Sequence, residues 1–198
     1  MIECDPTEST NTPRLERAYF PYQIDLISTS QELELASRQL LAEPVLGFDT
    51  ETRPSFTKGH SDRFVATVQF ATASHAWIIR THLLKLPPNL RSVIESPNVL
   101  KVGIAINEDI RRLRRYHPLT AQNILDLQLL AKMAGYKELS LKKLVTQFLH
   151  LEVSKAARLS NWEAESLTPK QLNYAATDAW LCYQLYYHSG LVTNPIGR

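Results

Sequence analysis

The stretch VLGFDTET, residues 45–52, constrains the fold more than any other feature of the chain. Val45, Leu46 and Phe48 form a short apolar run with no helical period, bounded by Pro44 and by Arg53-Pro54. Such a run reads as a buried strand. Asp49 and Glu51 sit two apart near its end. Residues i and i+2 of a strand point to the same face, so two carboxylates share one side of a largely buried element. Unpaired, they repel each other and lose hydration. The strand therefore demands something that compensates the two charges.

Around this strand the pattern is mixed. Residues 29–42 are helical, with Thr29 and Glu32 at capping-box spacing. FVATVQFAT and HAWIIR are short β-rich runs joined by a tight turn near Ala73-Ser74. A helix follows around residues 88–96, and VLKVGIAI is a further buried strand. Asn107 is an N-cap candidate for EDIRRLRRYH. NILDLQLLAKMAG begins as a strand and becomes a helix ending at Gly135, SLKKLVTQFLH is an amphipathic helix, and residues 152–166 are polar and irregular. Thr168, Pro169 and Gln171 then supply the N-cap, N1 proline and N3 glutamine of a long final helix. Strands first in a run, then alternating with helices, predict an α/β fold: a mixed central sheet flanked by helices.

The chain has 198 residues, 44% of them hydrophobic, which suits one globular domain with a sizeable core. The expected organisation is a loose lead-in over 1–22, a domain over 23–190 and a tail over 191–198. No apolar stretch reaches the roughly 18–20 residues that span a bilayer, and the polar N-terminus lacks the pattern of a secretory signal. The expectation is a cytoplasmic protein without a membrane. Two cysteines, Cys4 and Cys182, have neither metal-ligand spacing nor the look of a disulfide framework. A formal net charge of +2 leaves a polyanionic partner open.

Other acids offer themselves as company for Asp49 and Glu51. At 100° per residue, Tyr174, Asp178, Leu181 and Leu185 fall in one stripe about 60° wide. The leucines mark it as the inward side, so Asp178 faces the core and needs a partner. Asp109, near a helix start, is explained equally by the helix dipole and by a functional role. It lies at the edge of the stripe formed by Ile106, Ile110 and Leu113, while Arg111, Arg112, Arg114 and Arg115 read as a solvated face. If Asp49, Glu51, Asp109 and Asp178 converge, only cations make the cluster tolerable. Hard oxygen ligands favour Mg²⁺ or Mn²⁺. Two such ions about 3.5–4 Å apart suit phosphodiester hydrolysis.

These motifs, FDTE (Asp49, Glu51), VGIAINEDIRRL (Asp109) and YAATD (Tyr174, Asp178), resemble the DEDD superfamily of 3′-to-5′ exonucleases in its tyrosine branch. The likeness spans roughly residues 24–188. Residues 160–186 look especially like the exonuclease domain of the Werner syndrome helicase, with ribonuclease D a more distant likeness. The sister branch carries histidine five residues before the last aspartate, where this chain has Asn173. The resemblance implies a ribonuclease H-like fold and release of nucleoside 5′-monophosphates from a nucleic acid, DNA or RNA, with a free 3′ end. It also implies two divalent ions, Mg²⁺ or Mn²⁺, held by Asp49, Glu51, Asp109 and Asp178. Tyr174 then helps orient or deprotonate the attacking water. A phenol with a reference pKa of about 10 is a poor base at neutral pH, which favours the orienting role.

Arg53, Lys58 and His60 in the loop after the first motif suit either phosphate contacts or plain exposure. Lys155, Arg158 and Trp162 precede the last motif. Trp162 is either a base-stacking residue or a core anchor beside a helix start. Two other functions fit the same acids: a nucleic-acid-binding module with little turnover, and a phosphohydrolase of small nucleotides.

Overall fold

The computed structural model describes residues 15–53 and 64–192. The apolar run at 45–48 lies near the middle of a sheet, within β3 (Val45–Thr52). Before it come β1 (Glu16–Arg17), β2 (Gln23–Ile27) and α1 (Ser30–Ala42). After it come β4 (Val65–Ala71), β5 (His75–Ile79), α2 (Thr81–Leu84), α3 (Pro88–Glu95), β6 (Leu100–Gly103), α4 (Ile106–Leu113), β7 (Ile124–Asp126) and α5 (Leu127–Met133). The chain continues through α6 (Leu141–Leu149) and β8 (Leu151–Glu152) to α7 (Pro169–His188). The six-stranded sheet has the order β2-β5-β4-β3-β6-β7. β4 runs antiparallel to β3 and β5, whereas the β2–β5, β3–β6 and β6–β7 pairs are parallel. The fold is therefore α/β with a mixed central sheet between helices, a ribonuclease H-like architecture.

The two faces of β3 separate packing from chemistry. Leu46 and Phe48 join Leu33, Leu40, Leu90 and Ile110 in one core, and Phe48 meets Phe70 across the strand pair with ring centroids 5.4 Å apart. Val45 points the other way, into a core shared with Leu181 and Leu185 of α7. Between Val45 and Asp49 on that face stands Gly47. A Cβ there would collide with the Ala179 carbonyl oxygen and lie 2.8 Å from the Tyr183 nitrogen. Only a residue without a Cβ lets the α7 backbone settle on the strand.

Local signals set most helix limits. Thr29 with Glu32, and Thr168 with Gln171, form complete capping boxes. Gly135 takes the left-handed conformation (φ +87°) just past α5. The N-cap of α4 differs from expectation. Ala105, not Asn107, occupies that place, in a left-handed conformation (φ 54°) and without a side-chain cap. Asp126 supports this turn from β7, accepting from the Ala105 N–H (3.1 Å) while also capping α5 through Gln128 N–H (3.0 Å). Residues 15–22, expected as part of a loose lead-in, are tied down. β1 pairs in parallel with β8, and Phe20 is fully buried. Among the described residues no helix is long and apolar enough to cross a membrane.

Candidate active site

Strand β3 emerges from the core at Asp49, and its last four residues are half-buried. α7 crosses the same face, and the close approach at Gly47 brings Asp178 up against the strand. Carboxylate oxygens of Asp49, Glu51 and Asp178 all lie within 4.8 Å of one another. Burial is the first cause that raises each of these acids, because an ionised carboxylate is poorly solvated there. Asp178 moves up to about 7. Glu51 moves to about 9, driven further by Asp178 and Asp109 and relieved by the charge of Arg158. Asp49 is also pushed well up, by burial and then by Asp178, Glu51 and Asp109.

Asp109 does not enter the three-acid group. Its Oδ1 accepts from the Thr50 hydroxyl (2.7 Å) and from Arg112 Nη1 (3.1 Å). Thr50 lies between Asp49 and Glu51 but points to the opposite face, toward α4. Asp109 is raised by burial only to about 6, because Thr50 and Arg112 stabilise its charged form. Its charge is nonetheless felt at Asp49 and Glu51. Arg112 is thus a partner of Asp109 rather than only part of a solvated face. Arg111 bonds to Glu108, and Arg114 donates to the Leu119 carbonyl (3.1 Å).

Tyr174 sits one turn before Asp178 on α7. Its hydroxyl interacts with the Asp178 carboxylate, which draws the acid down and pushes the phenol far above its ordinary value, burial being the larger cause. Such a phenol keeps its proton at neutral pH. The Trp162 indole backs the Tyr174 ring, with centroids 6.1 Å apart. Trp162 itself has no exposed surface, so base stacking by its ring is ruled out by packing and the core-anchor reading holds.

The basic residues are distributed unevenly. Arg158 is exposed and its charge reaches Glu51. Lys155 is exposed nearby on the same turn. Arg53 bridges to Glu163 at 3.4 Å, linking the end of β3 to the turn before α7. Lys58 and His60 lie outside the described residues.

Three contributors were not visible as site residues in the sequence. Thr67 and Gln69 of β4 stand opposite Glu51 and Asp49 in register, and so share their face. Gln69 is fully buried. Its amide donates to the Thr67 hydroxyl (2.5 Å), and its carbonyl oxygen has no partner in the described structure. Thr50 is the third. The polar residues within VATVQFA were the available signal, since a polar side chain on a buried strand calls for a partner.

The donor set fits divalent ions. Three converging carboxylates offer hard oxygen ligands, and among the described residues no lysine or arginine forms an ion pair with any of them. The orphaned Gln69 oxygen adds a polar atom on the same face. Together they describe a cation site open at a strand end, next to a phenol donor and below an exposed arginine.

The profile of a 3′-5′ exonuclease family matches residues 24–188. Exonuclease 3′-5′ domain-containing protein 2 of Drosophila melanogaster is 40% identical over 148 residues, covering 72% of this chain and 24% of that protein. A 3′-5′ exonuclease of Arabidopsis thaliana is 36% identical over 146 residues, covering 71% of this chain and 51% of that protein. The chain thus spans between a quarter and a half of the length of these relatives. Among solved structures, Escherichia coli RNase D superposes with a TM-score of 0.77 at 21% identity, over 87% of this chain and 45% of that one. The Aedes aegypti Nibbler EXO domain gives 0.75 at 23% identity, over 86% and 89%. At such identities the structural likeness speaks for the fold.

Proposed function

The chain belongs to the 3′-5′ exonuclease family, and we propose that it is a metal-dependent exonuclease that removes nucleoside 5′-monophosphates from the free 3′ end of a nucleic acid. The observation that carries this reading is the convergence of Asp49, Glu51 and Asp178 beside Tyr174. Three crowded carboxylates, two half-buried and one buried, without an ion-paired side chain are costly unless divalent ions neutralise them. A pair of ions, Mg²⁺ or Mn²⁺, when bound would make a water more acidic and neutralise charge on the phosphodiester.

The chain's own groups divide the remaining work. Asp49, Glu51 and Asp178 would hold the ions. Asp109, fixed through one oxygen by Thr50 and Arg112, would serve as a further ligand through its other oxygen. Tyr174 keeps its proton, so it acts as a donor that orients the attacking water rather than as a base. Arg158 and Lys155 supply positive charge to the phosphate from the turn above the acids. A kinship with Werner-type domains in particular is proposed on residues 160–186, where the capping box of α7 precedes the Tyr174–Asp178 pair.

The test is digestion of 5′-labelled single-stranded DNA and RNA with Mg²⁺ or Mn²⁺. The expected product is a descending ladder with released mononucleotides, abolished by EDTA and by Asp178→Asn. Cutting of a circular single strand would instead mark an endonuclease. Intact substrate under all conditions would leave only a binding module.

A further inference from the structure

A cleft of about 370 Å³ continues from Tyr174 and Asp178 along the N-terminal half of α7. Its outer wall is the segment Arg17–Tyr19, and this wall is firmly built. The Ala18 N–H donates to the Glu152 carbonyl (2.9 Å), and Arg17 Nη2 donates to the Ser154 hydroxyl (3.0 Å). Two α7 side chains then grip the backbone of the next residue. Asn173 Nδ2 donates to the Phe20 carbonyl (2.6 Å), and the Phe20 N–H donates to the Thr177 hydroxyl (3.1 Å). The grip leaves Tyr19 lining the cleft while 62% exposed.

The chemistry of the lining is divided. Ala18, Val153 and Ala157 make an apolar interior, Tyr19 offers an aromatic face, and Arg17 and Lys170 place two cations at the rim. Small apolar side chains beside an aromatic ring suit the flat face of a base, and rim cations suit its phosphate. Position adds a second reason, since the cleft opens directly onto the residues that adjoin the acids. We propose that this cleft holds one nucleotide of the substrate strand next to the scissile bond, with Tyr19 stacked on its base and Arg17 and Lys170 facing its phosphate. The proposal rests on the exonuclease reading above. It assigns strand holding to a segment that none of the three acidic motifs includes.

The test measures affinity apart from cleavage. Fluorescence anisotropy with a 5′-labelled single-stranded oligonucleotide, in Ca²⁺ instead of Mg²⁺, gives Kd for the intact chain. Tyr19→Ala should weaken binding roughly 5- to 150-fold, the range typical of a lost base–aromatic stack. Tyr19→Phe should restore it. Lys170→Gln should lower the salt slope of binding by about 0.7. In Mg²⁺, Tyr19→Ala should raise KM with little change in kcat. Tyr187→Ala, another half-exposed tyrosine at the far end of α7, should bind as the parent does. If the parent neither binds nor cleaves any oligonucleotide, the exonuclease reading falls and this proposal with it. If the parent does both and Tyr19→Ala matches it in Kd and KM, the nucleotide cleft alone is overturned.

Discussion

Gly47 and Ala179 meet backbone to backbone, and that contact sets the distance between β3 and α7 at the acids. Asp49 lies two residues beyond the glycine and Asp178 one residue before the alanine. Gly47→Ala must therefore push the helix away. Overpacking of this kind costs about 1–3 kcal/mol. A misplacement of about 1 Å at reacting groups costs on the order of 10²-fold in rate. The variant should melt lower and lose at least that factor in cleavage. Thermal unfolding with single-turnover digestion checks both, and a normal rate would show that α7 does not position Asp178.

The metal-free protein should lose stability as pH rises. In the fold Asp178 is raised to about 7 and Glu51 to about 9. In the unfolded chain such carboxylates titrate near 4, on the order of their reference values. Between those limits the native state holds protons that the unfolded state has released, so unfolding becomes easier with each step upward in pH. Melting temperature in EDTA should fall from about pH 5 to about pH 9. Saturating Mg²⁺ should flatten the decline. Equal slopes with and without the ion would count against these acids as ligands.

Asp49→Asn separates stability from activity. It removes a carboxyl whose ionisation the fold disfavours relative to the unfolded chain, so the metal-free variant should melt above the parent near pH 8 while cleavage disappears. On the order of 2–4 °C is expected per kcal/mol for a domain of this size. A fall in melting temperature together with retained activity would reverse the assignment.

Thr50→Val keeps the side-chain shape and removes the hydroxyl that holds Asp109 at 2.7 Å. A hydrogen bond to a charged group is worth about 1.5–3 kcal/mol. Turnover should fall roughly 10-fold or more, and the metal concentration for half-maximal rate should rise. Unchanged metal dependence would show that Asp109 needs no such support.

Tyr174→Phe retains the ring against Trp162 and deletes the hydroxyl. Oligonucleotide affinity should hold while kcat drops about 10²-fold, the lower end for a positioned proton-handling group. A fold that melts lower but cleaves normally would make Tyr174 a packing residue.

Much of this was legible in the sequence because local chemistry and tertiary demand agree there. The alternation at 45–52 and the inward stripe of α7 named three acids that the fold does bring together. The capping boxes fixed where α1 and α7 begin. Asp109 was legible as an acid at a helix start but not as one set apart, because its partner Thr50 comes from the opposite face of a strand 59 residues away. Ala105 at the N-cap of α4 was missed for a similar reason. Its strained turn is held by Asp126, a tertiary contact with no local sign. Trp162 pulled two ways until packing decided it.

The order of the chain has a further consequence. Asp49 lies in the first half of the described residues and Asp178 near their end, so β3 leaves the ribosome well before α7. Until it docks, the centre lacks one of its three clustered carboxylates, and β3 presents only Asp49 and Glu51. Domains fold as units, with N-terminal parts emerging first. The acidic cluster is thus incomplete while the chain is still emerging beside ribosomal RNA and messenger RNA. The three-carboxylate cluster exists only once α7 has packed on β3.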